Sequence, residues 1–419
     1  MEAAVHHRFF RATAGGLAVL AVALAPTAHA TSRAIARVGT TQAVRPLRPA
    51  PCPAPSVTLR TIASREGGEA IALDGRTGRV AVLGNNYVDL LDSATGARLW
   101  RVPGGDGQHL AVGVDGADGH VFVASDGGSR GTEHMDGFAA MLDERTGAQL
   151  NEVGVGGLPS VVTVDEATRR VFVANVRGAT VSMLDARTRQ VLRTITPAPG
   201  SADGIGAMTV DPSGRWVYLS GDTRIGVLDG ATGAVEASFA TPGPPDEGAA
   251  TGTPVVDAST QHVFTTALLP DGRYLVAMFD ARRRTRLRAT TAPFTWGNLA
   301  LDAPAGHVFA GSDNSVAMFG THTGRLLRTT RAAGMVVGLA DNPGMGLVFA
   351  AVERHAPNAA YRLIGPSQLN VLSACSGALL RTIRLGTDLS ALAVDPRSGH
   401  IVALVDTDVR VLAVTAGAH

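Results

Sequence analysis

The sequence predicts an all-β protein, a β-propeller of eight four-stranded blades, and three observations lead to this prediction. A unit with the length of a propeller blade recurs along the chain, each copy holds four short apolar segments, and turn residues separate those segments. One four-stranded sheet cannot bury both of its faces alone, whereas copies stacked side by side can. Seven blades is the alternative count, because the unit around Asp341 is irregular.

The clearest unit spans residues 161–195. Its expected strands are Val161–Val164, Val171–Asn175, Val181–Leu184 and Val191–Ile195. Aspartates end the first and third strands, since an Asp side chain accepts hydrogen bonds from backbone N–H groups two or three residues further on. The second strand is apolar without alternation, which indicates a strand covered on both faces.

Copies of this unit account for most of the chain. The aspartate after the first strand recurs at Asp74, Asp115, Asp165, Asp211, Asp257, Asp302, Asp341 and Asp395. The eighth unit has three strands, at residues 389–395, 400–405 and 408–414, and lacks a fourth. Val57–Ile62 (VTLRTI) aligns with Gln190–Ile195 (QVLRTI), so we expect this N-terminal strand to complete the last blade and close the ring.

The predicted domains are a signal peptide at 1–30, a linker rich in Pro, Ala and Arg at 31–56, the propeller at 57–414 and a tail at 415–419. The leader has a basic start, an apolar run at 15–25 and the small-x-small cleavage site Ala28-His29-Ala30. That run is shorter than the roughly 20 residues that a membrane-spanning helix needs. We therefore expect an exported protein of the cell envelope, periplasm or medium, with no transmembrane segment after the leader is removed.

Charge and composition favour one compact domain with no affinity for nucleic acid. The chain has 37 basic residues, all Arg, and 36 acidic ones. Without residues 1–30 the two counts are equal, so no long-range attraction to nucleic acid or acidic membranes is expected from net charge. The 50 glycines suit a protein with many tight turns. We expect a monomer.

The two cysteines predict one disulfide. Cys375 falls in the turn between the third and fourth strands of the seventh blade, and Cys52 shortly precedes the closing strand. Both positions lie on the same face and outer rim of adjacent blades, in a protein bound for an oxidising compartment. A Cys52–Cys375 disulfide would hold the closing strand in place. The alternative is two unpaired thiols.

Two motifs carry a family resemblance. VFVAN at 171–175 stands where the YVTN-type β-propeller family has its namesake strand, and LLDSATGARLW at 90–100 resembles the D-x-x-T-G-x-x-L-W repeat of the PQQ-like propellers. The resemblance covers nearly everything from Val57 to Val414 and implies the propeller fold. It does not imply one activity, because the same blades host many functions. A PQQ cofactor is not expected, since the cysteines are not adjacent and Trp100 alone ends a repeat as in quinoproteins.

Three insertions should project from one face, formed by the loops between strands two and three and by the connections between blades. These insertions span residues 125–137, 241–252 and 353–367. We expect ligand-binding residues among them and at two further positions, namely His109, Asp126, Glu133, His134, Asp136, Asp246, Glu247, Trp296, Glu353 and His355. Tyr361 lies in the third insertion.

For other polar residues, a structural or solvent-exposed role is favoured over ligand binding. Glu133, His134 and Asp136 offer oxygen and imidazole ligands for Ca²⁺ or Zn²⁺, but no regular ligand spacing supports a metal, and a solvated loop is favoured. His120, His262, His307 and His400 recur at the start of second strands, which indicates a structural or surface role. The Arg282–Arg288 run falls on an outer strand, where charge protects an exposed edge, although a partner could bind there.

No catalytic constellation emerges from the sequence. We therefore expect an exported, non-enzymatic binding or scaffold protein that recognises an extracellular or envelope protein, a glycan or a small ligand through its loop-bearing face, without a cofactor. The alternative is a propeller enzyme, either a metal-dependent lactonase-like hydrolase or a degenerate quinoprotein dehydrogenase.

Overall fold

A computed structural model describes residues 22–23, 56–66, 68, 70–84, 86–103, 109–127, 129–130, 133–134, 136–198, 205–221, 224–240, 252–269, 274–292, 298–355, 363–406 and 408–417. These residues form eight antiparallel blades in a ring and contain no helix. The predicted β-propeller is confirmed, and the number of blades is eight. No helix in this part of the chain is long and apolar enough to cross a membrane.

The four strands of each blade follow one another along the chain. In blade 1 they are Ala70–Asp74, Arg79–Gly84, Tyr87–Asp92 and Arg98–Pro103. In blade 2 they are His109–Asp115, His120–Ser125, Phe138–Asp143 and Gln149–Gly154. In blade 3 they are Pro159–Asp165, Arg170–Asn175, Thr180–Asp185 and Val191–Ile195. In blade 4 they are Ala207–Val210, Trp216–Ser220, Arg224–Asp229 and Val235–Ala240.

The second half of the ring repeats this order. Blade 5 contains Val255–Asp257, His262–Leu268, Tyr274–Asp280 and Thr285–Ala292. Blade 6 contains Leu299–Asp302, His307–Gly311, Ser315–Gly320 and Leu326–Arg331. Blade 7 contains Met335–Asn342, Leu347–Glu353, Gln368–Ser373 and Leu379–Arg384. Blade 8 contains Leu389–Val394, Ile401–Val405, Asp408–Gly417 and, as its outer strand, Ser56–Glu66. A two-residue strand, Val22–Ala23, pairs in parallel with Leu73 and Asp74 of blade 1.

The ring has two distinct faces. First strands of neighbouring blades contact each other and therefore surround the centre, while fourth strands form the outer rim. Turns between strands one and two and between strands three and four lie on one face, here called the turn face. Loops between strands two and three, together with the connections between blades, lie on the opposite loop face. Aspartates shape the turn face: Asp92, for example, accepts hydrogen bonds from the Thr95 backbone N–H and hydroxyl, both at 2.9 Å.

The core lies between the blades, and one position shows how it is built. The third residue of the second strand is a fully buried aromatic in six blades, namely Phe122, Phe172, Tyr218, Phe264, Phe309 and Phe349. Phe172 of blade 3, for instance, packs with Val217 and Leu228 of blade 4. The apolar second strand is therefore buried on both faces between neighbouring blades, as its lack of alternation predicts.

The recurring histidines connect blades, so the structural role predicted for them is confirmed for three. The Nδ1 atom of His262 lies 2.8 Å from the Thr321 carbonyl oxygen of blade 6, and that of His307 lies 2.8 Å from the Ala374 oxygen of blade 7. His400 of blade 8 reaches the Ser93 oxygen of blade 1 at 3.1 Å. The Ser93 hydroxyl also donates to the buried Asp395 carboxylate at 2.6 Å, which joins the last blade to the first.

The closing strand is confirmed, but its predicted alignment is wrong by three residues. Thr61 pairs with Leu412, the position that Val191 occupies opposite Leu184 in blade 3. The sequence alignment placed Thr58 there. The strand is also longer than predicted. Its residues 56–60 pair with residues 413–417, which extend past the first residue of strand two, Ile401. Paired backbone groups therefore extend past the turn face as a two-stranded ribbon.

The irregular blade 7 explains a second correction. We expected Asp341 to form the turn after the first strand, but Asn342 occupies that position and its side-chain oxygen accepts the Met345 N–H at 3.2 Å. Asp341 instead pairs with Val348 in the ladder, and burial raises the pKa of its carboxyl to about 7. Asn has the same side-chain acceptor as Asp and forms the same turn, so a pattern of aspartates alone does not reveal it.

Candidate functional site

The structure describes some of the predicted ligand-binding residues fully and others in part. The side chains of Asp126, Asp136, Glu353 and His355 are described, and all four belong to the loop face. His109, Glu133 and His134 are described as strand residues without their side chains. Asp246, Glu247, Trp296 and Tyr361 lie outside the described residues.

The insertion in blade 2 contains a small hairpin. Its strands are Ser129–Arg130 and Glu133–His134, with Glu133 opposite Arg130 and His134 opposite Ser129. Asp136 is exposed beside the hairpin. Ligand binding by this insertion stays a prediction.

The blade 7 insertion brings two predicted residues together. Glu353 ends the second strand of blade 7, and its carboxylate oxygen Oε2 lies 3.1 Å from Nε2 of His355. His355 pairs through its backbone with Leu363, and the Ile364 N–H donates to the Arg354 oxygen at 2.7 Å. These contacts hold the two ends of the insertion together. Glu353 is only 7 % exposed, so its interactions occur largely out of water.

The connection to blade 8 supplies the remaining partners of Glu353. The backbone N–H of Leu389 donates to Glu353 Oε1 at 3.1 Å, and the side chain of Asp388 forms a hydrogen bond with the Glu353 carboxyl. Asp406 holds this connection, because its Oδ1 accepts the Asp388 N–H at 3.0 Å and the Thr387 N–H at 2.6 Å. We call Glu353, His355 and Asp388 the Glu353 cluster.

Burial and a second carboxylate decide the charge of this cluster. Burial, with a smaller contribution from the nearby Asp388, raises the pKa of Glu353 to about 7, and the hydrogen bond from the Leu389 N–H opposes this rise. Glu353 therefore keeps its proton to a higher pH than an exposed glutamate does. On the neighbouring blade, burial also raises the pKa of Asp313, while the charge of His355 lowers it.

This arrangement can exchange a proton near neutral pH and can accept hydrogen bonds at the loop face. Nδ1 of His355 is buried and has no hydrogen-bond partner among the described residues. No group of three or more His, Cys, Asp or Glu within the described ranges is arranged to hold a metal ion. The raised pKa of Glu353 makes the Glu353 cluster a polar, proton-binding site.

Sequence reasoning found Glu353 and His355 but missed Asp388 and Asp313. Those two residues come from blade 8 and blade 6, and only ring assembly places them beside the blade 7 insertion. Their positions in the repeat could have placed them on the loop face, because Asp388 directly precedes a first strand and Asp313 lies in the turn that follows a second strand.

A polar depression also exists on the turn face, opposite the predicted site. Its lining combines the first turn and the third turn of blade 5, with Ser259, Thr260, Gln261, His262, Asp280, Arg282 and Arg283. The Ser259 hydroxyl and the backbone N–H groups of Ser259 and Thr260 already donate to Asp257, and the His262 ring contacts blade 6. These side chains stabilise the turns, so the depression is weaker as a candidate than the Glu353 cluster.

Comparison with known proteins gives the family. A family model of PQQ-type repeats, described as outer membrane protein assembly factor BamB, matches residues 84–338, more than half of the chain. The chain belongs to this family. The match to the BamB family runs from strand two of blade 1 to strand one of blade 7, and the PQQ-like resemblance inferred from sequence is confirmed.

A solved structure agrees with the BamB family at the level of the fold. The crystal structure of BamB from Moraxella catarrhalis aligns with a TM-score of 0.62 and 19% sequence identity, and the alignment covers 85% of this chain and 100% of that chain. No curated protein matches the sequence. At this identity the likeness concerns the propeller alone and does not transfer the BamB partners.

Proposed function

We propose that this protein is an exported, non-enzymatic scaffold of the cell envelope that binds a protein partner through its loop face. The observation that carries the proposal is membership of the BamB family, whose model is described as an outer membrane protein assembly factor. A rigid ring supports this role, because packed blades hold the variable loops in fixed positions while the loops themselves determine specificity.

The Glu353 cluster gives the loop face a defined chemistry. Its hydrogen-bond acceptors belong to blade 7 and the connection to blade 8, and the adjacent end of the blade 7 insertion includes Ile364, which is 37% exposed. A partner with N–H donors and a small apolar side chain would satisfy both features.

Site-specific photocrosslinking tests the proposal in cells. A photoreactive amino acid at Asp136 or at Ile364 should give one discrete adduct that mass spectrometry identifies as an envelope protein. The matched control is the same amino acid at Leu192, which is 45% exposed but lies on the outer rim of blade 3. Equal adducts from all three positions, or adducts from Leu192 alone, would contradict binding through the loop face.

The competing enzyme hypothesis has a separate readout. Protein purified from the exported fraction without chelator should show neither stoichiometric metal by elemental analysis nor a quinone absorption band. A metal that survives dialysis and disappears in Glu133→Ala/His134→Ala would instead favour a metal-dependent hydrolase, and a quinone band would favour a degenerate quinoprotein.

We further propose that a Cys52–Cys375 disulfide holds the closing strand in the exported protein. Cys52 lies outside the described residues, whereas Cys375 lies in the third turn of blade 7 and is not a free cysteine. The chain has two cysteines, so each is the other's available intramolecular partner. Peptide mapping without reductant should recover the two peptides linked. Two thiols that alkylate in the native exported protein would disprove the bond.

A further inference from the structure

The outer rim of three consecutive blades carries a dense positive charge. We define the basic arc as residues 281–292, 321–331 and 374–384, which are the third turns and outer strands of blades 5, 6 and 7. These segments contain no Asp or Glu and ten arginines, all of them exposed: Arg282, Arg283, Arg284, Arg286, Arg288, Arg325, Arg328, Arg331, Arg381 and Arg384. Arg283 and Arg284 have acidic neighbours, Asp280 at 3.6 Å and Glu236 at 2.8 Å.

The rest of the rim differs in charge. The equivalent segments of blades 2, 3 and 4, at residues 144–154, 186–195 and 230–240, hold four arginines and three glutamates. Since the whole chain has a formal charge of +1, the charge of the basic arc is a local asymmetry and not a property of the composition.

Exposed leucines lie among these arginines. Outer strands carry a β-bulge near their start, where the strand pairing shifts by one residue between Met278 and Phe279 and between Met318 and Phe319. The bulged residues are Leu287 and Leu327, which are 44% and 51% exposed. Leu326 and Leu379 are also exposed within the arc. A bulge turns a side chain away from the regular ladder, so the repeat presents apolar groups to the solvent.

We propose that the basic arc binds the surface of an anionic phospholipid membrane. Arginines attract acidic headgroups, and exposed leucines between them enter the boundary between headgroups and acyl chains, a combination typical of peripheral membrane attachment. A lipid surface adapts to the shape of the rim and needs no preformed pocket. An acidic peptide that adds to an outer strand fits less well, because each bulge interrupts the row of free backbone groups on that edge.

Vesicle flotation with the mature chain, residues 31–419, tests this proposal directly. We expect binding to vesicles of equal parts phosphatidylglycerol and phosphatidylcholine, and no binding to pure phosphatidylcholine. Binding should weaken as salt shortens the Debye length from about 30 Å to about 8 Å, because the attraction is electrostatic. Equal binding to both kinds of vesicle, or binding to neither, would overturn the proposal.

Matched variants locate the interaction. Arg286→Gln/Arg288→Gln/Arg325→Gln should lower the apparent affinity for anionic vesicles by about tenfold or more. The control, Arg145→Gln/Arg187→Gln/Arg193→Gln, removes three exposed arginines from blades 2 and 3 and should leave binding unchanged. Leu287→Ser/Leu327→Ser should also weaken binding, whereas Leu99→Ser/Leu192→Ser changes leucines of similar exposure on blades 1 and 3 and should not.

Each outcome decides the question, given variants that melt like the parent protein. Equal losses in the arc variants and their controls would show that binding does not involve the arc. If the parent protein binds poly-glutamate but not vesicles, and the arc variants lose this binding, the basic arc would instead be a site for an acidic protein. The arc contains no loop-face residue, so its failure would leave the proposed scaffold function standing.

Discussion

Deletion of residues 53–66 should abolish cooperative thermal unfolding. These residues supply the whole outer strand of blade 8, which pairs with the third strand from Asp408 to Gly417. Without it, the backbone N–H and C=O groups of that third strand become an unpaired, exposed edge. We expect a broad, non-cooperative transition by circular dichroism and differential scanning calorimetry.

The control for this deletion removes residues 31–51 and keeps Cys52 and the strand. That variant should melt in one sharp transition, like the parent protein. A protein without residues 53–66 that still melts sharply and at the parent temperature would show that the ring is stable with a three-stranded last blade.

Glu353 should make the protein less stable as the pH rises through neutrality. The pKa of its carboxyl is 4.5 in an unfolded chain and about 7 in the folded protein, so the native state binds the extra proton between these values. The contribution of Glu353 to the free energy of unfolding is therefore highest below about pH 4.5. It falls as the pH rises through 7, by up to about 3 kcal/mol. Most of the raised pKa originates from burial, which penalises the ionised form.

Glu353→Gln tests this prediction because glutamine cannot ionise. It keeps the oxygen that accepts the Leu389 N–H and should raise the free energy of unfolding at pH 8, with little change at pH 5. Asp388→Asn removes the second carboxylate and should move the same transition to lower pH. Glu152→Gln, on an exposed outer strand of blade 2, is the control and should follow the parent curve. Urea titrations at several pH values measure each effect, and an unchanged slope in Glu353→Gln would refute the assignment.

Features that recur in the sequence were predictable, since repetition fixes strand order and turn chemistry. The eight blades and the closing strand follow from such repeats. The pairing of the closing strand was not predictable from VTLRTI. Its similarity to QVLRTI shows that the residue types match, but it does not show which residue forms the β-bulge. The turn at Asn342 was missed for the opposite reason, since a different residue makes the same hydrogen bond.

The candidate site was half predictable. Glu353 and His355 are close in sequence and lie in a conspicuous insertion, whereas Asp388 and Asp313 reach them only across blade boundaries. Pairings between blades depend on ring assembly, which no local pattern encodes. The basic arc shows the same limit: the Arg282–Arg288 run was visible, but its continuation at Arg328 and Arg381 appears only when three outer strands lie side by side.

The two-stranded ribbon of residues 56–60 and 413–417 determines on which face a group attached directly to Ser56 or Gly417 lies. Ser56 pairs with Gly417, so both ends of the propeller leave the ring together at the turn face. A fluorescent protein fused directly to Ser56 or Gly417, or a surface that captures an affinity tag there, would therefore sit behind the ring. The opposite face, with the Glu353 cluster, would point outward and stay open in biosensor or imaging experiments.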